Sequence, residues 1–392
     1  MKITCRIFAF LLFLCAPLVF KSQAQTPEKP AAKAQYIAYV GTYTAKTTSK
    51  GIYAYRFNAE NGQLSPIGAA TESVDPSFVA VHPNGKYLYA VNEIANFNGG
   101  TGGAVSAFAI DAKTGALKLL NQVPTRGAGP CHLSLDKTGN YVLDANYDGG
   151  SIASFPVHDD GTLGTASGFV QHSGSGPDKE RQEGPHAHWI GTSPDNHFAL
   201  AADLGLDQIL VYGFDSSKGL FTPLLSGFAK VKPGAGPRHL AFSTNGKFAY
   251  VLSEMDSSVT VFSFQAKTGA FTSLQTLSTL PKDFSGPKQA AEIAVHPSGK
   301  FLYTSNRGHD SIAVFAIDEK KGTLKSLGQI LTGGKTPRHF AIDPTGTYLL
   351  AENQDSNNIV VFHIDAATGN LTPTGQTVEV PSPVCITFVA AP

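Results

Sequence analysis

This chain has no excess of either charge: its 392 residues carry 30 Lys and Arg against 30 Asp and Glu. A neutral balance supplies no field for gathering polyanions, so neither nucleic acid nor an anionic membrane is an expected partner. Cysteine is scarce, at 4 residues. Cys5 and Cys15 fall in the N-terminal segment, leaving Cys131 and Cys385, which stand far apart near the starts of apolar runs. Disulfides therefore do not organise the fold, and both thiols are expected to be free and buried. Long apolar runs are also missing, apart from Ile7 to Phe20. That run is too short and too close to the N-terminus for a good membrane span. Lys2 and Arg6 precede it and Ser22-Gln-Ala24 follows, so residues 1–24 read as an export signal and 25–35 as a flexible leader. Cys15 lacks the small preceding residue that lipoprotein processing prefers, so no lipid anchor is expected. The expected location is periplasmic or secreted.

What the chain has in quantity is glycine, 40 residues, and proline, 24. The glycines are not scattered. Gly62, Gly115, Gly161, Gly219, Gly269, Gly322 and Gly369 recur roughly fifty residues apart. Tyr55, Phe108, Phe155, Tyr212, Phe262, Phe315 and Phe362 precede them, each followed two residues later by another apolar side chain, Phe57 to Ile364. Period-two apolar positions place both columns on one strand face. The glycine supplies the positive φ that a hairpin such as Asp111-Ala-Lys-Thr-Gly115 needs. A second phrase, exemplified by Pro83-Asn-Gly85 and Pro297-Ser-Gly299, separates two further apolar runs in six places. Repeats of this length built from short strands predict an all-β fold, a seven-bladed β-propeller over 36–392. The second phrase is one copy short. The last blade is therefore expected to be shared, its innermost strand coming from Cys385-Ile-Thr-Phe-Val389 and its others from the N-terminal strands. Such closure removes exposed sheet edges, and the protein is expected to be a monomer.

Both kinds of short turn lie on one rim, and the longer connections, such as 96–103, 168–184 and 279–289, lie on the other. Function concentrates on variable loops held by a rigid scaffold. Two sets of positions meet on that second rim beside the channel. Inner-strand starts bring Cys131-His132, His186-Ala-His188, Arg238-His239, Glu292 and Arg338-His339. Second-strand ends bring Glu93, Asn146, Asp203, Glu254, Asn306-Arg307 and Glu352-Asn353. Radial repetition gathers these groups around one mouth, suited to a small polar or anionic ligand.

At these residues the chain resembles the lactonase-type seven-bladed propellers, which include bacterial 6-phosphogluconolactonases and fungal 3-carboxy-cis,cis-muconate lactonising enzymes. The resemblance spans about Tyr36 to Val389 and is carried by Gly184-Pro-His-Ala-His188, Ala202-Asp-Leu-Gly-Leu-Asp-Gln208, Gly236-Pro-Arg-His239, Ala291-Glu292 and Ser305-Asn-Arg-Gly-His-Asp-Ser311. It implies a lactone hydrolase whose site uses a histidine of the His-x-His pair, Arg238, Glu254 and Arg307, with no metal or organic cofactor. An export signal departs from that pattern, since a phosphorylated sugar lactone of central metabolism is cytosolic.

Each candidate has a functional and a structural reading. His188, with Glu254, is the candidate for activating water; His186 is placed with substrate binding. Either histidine would equally serve to hold a blade junction. Arg238 and Arg307 offer planar forks for a carboxylate, phosphate or oxyanion, as does Arg338; paired with Glu254 or Glu292, such arginines would only tie blades together. Glu254 orients water in one reading and is a counter-ion in the other. Glu292 is assigned to substrate binding on its position alone. The segment Asp178-Lys-Glu-Arg-Gln-Glu183 is a solvated loop or a lid. Zinc lacks a third ligand near His186 and His188. Calcium would draw on Asn146, Asn306 and Asn353. The expected partner is a small-molecule lactone. The rival class is a non-catalytic propeller whose charged mouth binds a ligand or protein.

Overall fold

The computed structural model describes Met1 and residues 35–392; the expected export signal and nearly all of the leader lie outside the described residues. Seven four-stranded antiparallel sheets follow one another around a central channel. One blade runs outward through Pro130–Leu135, Tyr141–Asn146, Ser151–Pro156 and Gly168–Gln171. The inner strands of five others are Val79–Val81, Ala187–Thr192, Pro237–Phe242, Ala290–Val295 and Pro337–Ile342. The seventh sheet is the shared one. Its inner strand, Pro383–Ala390, pairs antiparallel with Gln35–Thr42, which leads outward to Gly51–Asn58 and Gln63–Glu72. The expected closure is present, and pairing begins at Gln35, one residue before the predicted start.

Period-two alternation builds the core. In Gln35–Thr42, Tyr36, Ala38 and Val40 enter one apolar cluster while Ile37 and Tyr39 enter another. Each of the seven clusters fills one junction between adjacent blades, so every blade is buried on both faces. The repeated hairpin glycine serves the same junctions. Gly62, at φ +72°, lies directly against the ring of Tyr348 from the neighbouring blade, where a side chain would collide. Positive φ and close approach both demand glycine there.

Two expected loops contain strands. Residues 168–184 open with the outer strand Gly168–Gln171, and 96–103 fold back as Asn96–Phe97 against Gly100–Thr101. Short runs without strong alternation conceal such edge pairs. Cys131 and Cys385 are free and buried, as expected. Among the described residues no helix is long and apolar enough to cross a membrane.

Deleting residues 384–392 tests the closure. It removes buried Val384, Ile386 and Val389, each worth about 1.5–3 kcal/mol, against a total stability of about 5–15 kcal/mol. The truncated chain should lose its cooperative thermal transition or melt far below the full one. An unchanged melting curve would contradict closure by the C-terminus.

Candidate active site at the channel mouth

Five of the inner strands enter the channel with one residue more than their partner strands. The register slips between Pro130 and His132, Ala187 and Trp189, Pro237 and His239, Ala290 and Ile293, and Pro337 and His339. Such bulges re-aim side chains. The extra residues include Cys131, His188, Arg238 and Arg338, brought together from four blades. Residues just past the second strands meet them: Tyr43, Glu93, Tyr147, Glu254 and Arg307. A cavity of about 260 Å³ is lined by Tyr43, Glu93, Cys131, Tyr147, Asp148, Arg181, His188, Glu254, Arg307 and Arg338.

Glu254 is the hub of this mouth. Its Oε1 accepts from Arg181 Nη2 at 2.7 Å, and its Oε2 lies 3.1 Å from Arg238 Nε and 2.7 Å from Arg307 Nη2. Burial alone would raise this carboxyl, but Arg307, Arg238 and Arg181 outweigh it and hold the group at about 2. Arg238 lies behind the cavity wall, where its Nη1 donates to the Ala291 carbonyl and reaches His239 Nε2 at 3.2 Å. Burial, with Arg307 and Arg338 nearby, lowers this guanidinium to about 10.

Arg338 differs from the other three arginines. Among the described residues it makes no salt bridge or hydrogen bond; its guanidinium stands 5.2 Å from the centre of the Tyr43 ring. Tyr43 is fixed by donating its hydroxyl to Glu93 Oε2 at 2.9 Å. A guanidinium set against an aromatic face keeps its N–H edges free for an anion. His188 is the neutral group in the same cavity. Burial, then Arg238 and His239, hold its imidazole well below the ordinary range.

The predicted residues separate into two groups. His188, Glu254, Arg307 and Arg338 line the cavity, and Arg238 supports it through Glu254. His186 and Glu292 do not line it. His186 stacks on the outer face of Tyr147 at 4.5 Å and approaches Glu183 Oε1 at 3.3 Å. The bulge at His188 breaks the alternation that would have aimed both histidines at one point. Glu292 lies in a buried chain, accepting from His239 Nδ1 at 2.9 Å and facing His339 Nε2 at 3.5 Å, while His339 Nδ1 meets Glu352 at 2.6 Å. These two placements correct the expected substrate contacts. Of the second-strand set, Glu93, Glu254 and Arg307 line the cavity; the other members were read one residue early. Asn146, Asp203, Asn306 and Asn353 are buried and none of them lines the cavity; Asp203, Asn306 and Asn353 instead meet His172, Thr279 and Thr332, in the segments that leave the preceding blades. Tyr43, Tyr147 and Arg181 were not foreseen as site residues. Aligning Gly41-Thr-Tyr43 and Ala145-Asn-Tyr147 with Leu252-Ser-Glu254 and Ser305-Asn-Arg307 would have found the tyrosines.

Residues 37–388 match the model of the family described as Lactonase, 7-bladed beta-propeller. The chain belongs to that family. The 6-phosphogluconolactonase of Bacillus subtilis strain 168 is 40% identical over 290 residues, 74% of this chain and 80% of that one. A solved structure of a candidate 6-phosphogluconolactonase from Bacteroides fragilis superposes with a TM-score of 0.85 at 40% identity, covering 93% of this chain and all of its own. The periplasmic gluconolactonase of Pseudomonas aeruginosa also reaches 0.85, at 34% identity over 91% of this chain and 100% of its own. For a lactonase propeller, the mouth holds one neutral imidazole opposite several cations.

The clamp at Glu254 has a pH signature. Its carboxyl sits at about 2, below the ordinary 4.5, so its contribution is complete above about pH 4.5 and fades as pH falls toward 2. The gap corresponds to on the order of 3 kcal/mol. The melting difference between the wild type and Glu254→Gln should therefore be largest at pH 5 and above and narrow toward pH 2.5. A difference that stays constant over that range would show that the clamp carries no such energy.

Proposed function

We propose that the mouth hydrolyses an anionic sugar-type lactone by direct, metal-independent attack of water. Lactone hydrolysis, a carboxylic-ester hydrolysis, is the chemistry of the family; the geometry adds the division of labour. The observation that carries the proposal is the unpaired Arg338 guanidinium in the same cavity as the neutral His188. The first supplies a site for the substrate's anionic group. The second supplies a base: the imidazole is uncharged at neutral pH, and the negative charge that a bound anionic substrate brings to Arg338 offsets the cations that depress it.

Of the two candidates for that base, Glu254 is the weaker. A carboxylate held at about 2 by three guanidinium partners has little tendency to accept a proton near neutrality. Its task is to hold Arg307 and Arg181 at the cavity wall. Water attacks the lactone carbonyl carbon, and His188 removes its proton. The carbonyl oxygen becomes an oxyanion facing Arg307; as it collapses, the ring C–O bond breaks and the His188 imidazolium returns its proton to the leaving ring oxygen, giving the open hydroxy acid and restoring the neutral base. Arg307 acts as the preorganised donor for that oxyanion.

Export belongs to the same proposal. The N-terminal pattern of Lys2, Arg6, the run Ile7–Phe20 and Ser22-Gln-Ala24 supports cleavage after Ala24 and action outside the cytoplasm. A mature chain beginning at Gln25 in the exported fraction is the expected finding, and a cytosolic chain retaining residues 1–24 would refute it.

Kinetics separate the roles. His188→Ala should lower kcat on a sugar lactone by about 10²–10⁴, and Arg307→Ala by about 10²–10³. Arg338→Ala should act mainly on KM for anionic lactones, because it removes a contact present before and during reaction alike. None of the three should abolish folding. Full activity in His188→Ala would rule out His188 as the base.

A further inference from the structure

The catalytic reading leaves one neighbour of His188 without a task. Cys131 occupies the corresponding bulge of the adjacent blade and lines the same cavity. Its Sγ stands 3.7 Å from His188 Nδ1. The carbonyl oxygens of His188 and Ala187 lie 3.6 Å and 3.8 Å from the same sulfur. A thiol has a single proton to give, and its sulfur also accepts weakly. Carbonyl oxygens only accept, so the S–H turns to them and the sulfur is left to accept from the imidazole.

We propose that Cys131 is a positioning residue that holds His188 in its Nδ1–H tautomer, leaving the Nε2 lone pair for the cavity. This rests on the reading of His188 as the base. Which imidazole nitrogen carries the proton is set by the bond the other one makes. In the opposite tautomer, Nδ1 would accept from the thiol and Nε2–H would face the substrate, unable to take a proton from water. The other close groups do not decide the matter. Tyr147 meets the His188 ring edge-on at 5.4 Å and His239 does so at 5.3 Å, fixing the plane of the ring but not its proton. Among the described residues, Cys131 is the one side chain within hydrogen-bonding reach of the His188 imidazole; a hydrogen bond to the residue's own backbone favours the protonated ring besides. Burial and the charge of Glu93 push the thiol well above its ordinary range, so the S–H persists across the pH range in which a histidine base works.

The test reads the proton directly. The mature full-length protein is labelled with ¹⁵N-histidine, and long-range proton–nitrogen correlations distinguish the two tautomers. The His188 signals are assigned as those lost in His188→Gln. The wild type should show the Nδ1–H pattern at His188, and Cys131→Ala should shift it toward the Nε2–H pattern. The same variant should lose about 10–100-fold in kcat, the loss seen when an orienting partner of a metal-bound histidine is removed, with KM nearly unchanged. A wild-type Nε2–H pattern, or a tautomer and kcat indifferent to Cys131→Ala, overturns the inference. A stable mass adduct of lactone on Cys131 under acid quench also overturns it, since the thiol would then be a nucleophile. Retained activity in His188→Gln would instead overturn the catalytic reading and leave the tautomer assignment to stand or fall on the spectra.

Discussion

The extra residue in the inner strands is the constraint on which the mouth depends. A regular strand would send successive side chains alternately into the two neighbouring blade junctions, as Gln35–Thr42 does, and the channel would receive few of them. The slip between Pro237 and His239, repeated in other blades, breaks that alternation at the point where strand meets channel. Arg238 and His239, consecutive in sequence, thereby both take part in the polar network of the channel, with Glu254 and Glu292. The fold supplies the positions by repetition, and each blade fills its copy differently: a thiol, an imidazole and two guanidinium groups.

Filling those positions with charge creates an electrostatic problem that Glu254 solves. Arg181, Arg238 and Arg307 converge within a few ångströms of one carboxylate, and without it three like charges would be left to repel one another in a poorly solvated place. Removing one partner of a buried ion pair costs about 3–5 kcal/mol because the other charge is stranded. The four arginines Arg181, Arg238, Arg307 and Arg338 outnumber the three carboxyl groups Glu93, Asp148 and Glu254 around the cavity, which leaves a positive excess. The mouth is thus rigid and charged before any ligand arrives, which is the condition under which fixed donors stabilise a developing oxyanion. The same cations help to keep His188 neutral, so anion binding and base strength are linked through one field.

Much of the fold was legible in the sequence because it depends on local, repeated requirements. Gly62 and its equivalents are needed both for positive φ and for contact with a ring such as Tyr348, so the glycine column marks the blades. Closure was legible from the missing turn beside Cys385. The site was legible in part. His188, Arg238, Glu254 and Arg307 stood out by residue type and by family resemblance, and Arg338 by its column. The errors share one physical origin, the bulge, which changes facing without changing composition. It separated His186 from His188 and sent Glu292 toward His239 and His339. Arg181 was missed for a different reason: its segment was read only as a solvated loop or a lid, with no repeat to align it, and its place in the lining and its 2.7 Å contact with Glu254 reveal it.

The central claim is that this mouth opens anionic lactones. The most direct measurement is the initial rate of hydrolysis by the purified mature protein across a panel of sugar lactones, phosphorylated, carboxylated and neutral, each corrected for its spontaneous opening. Rates well above background, highest for the anionic members and unaffected by prolonged chelation, are the predicted result. No acceleration of any lactone, or activity that is lost to chelator and restored by a divalent cation, would contradict it.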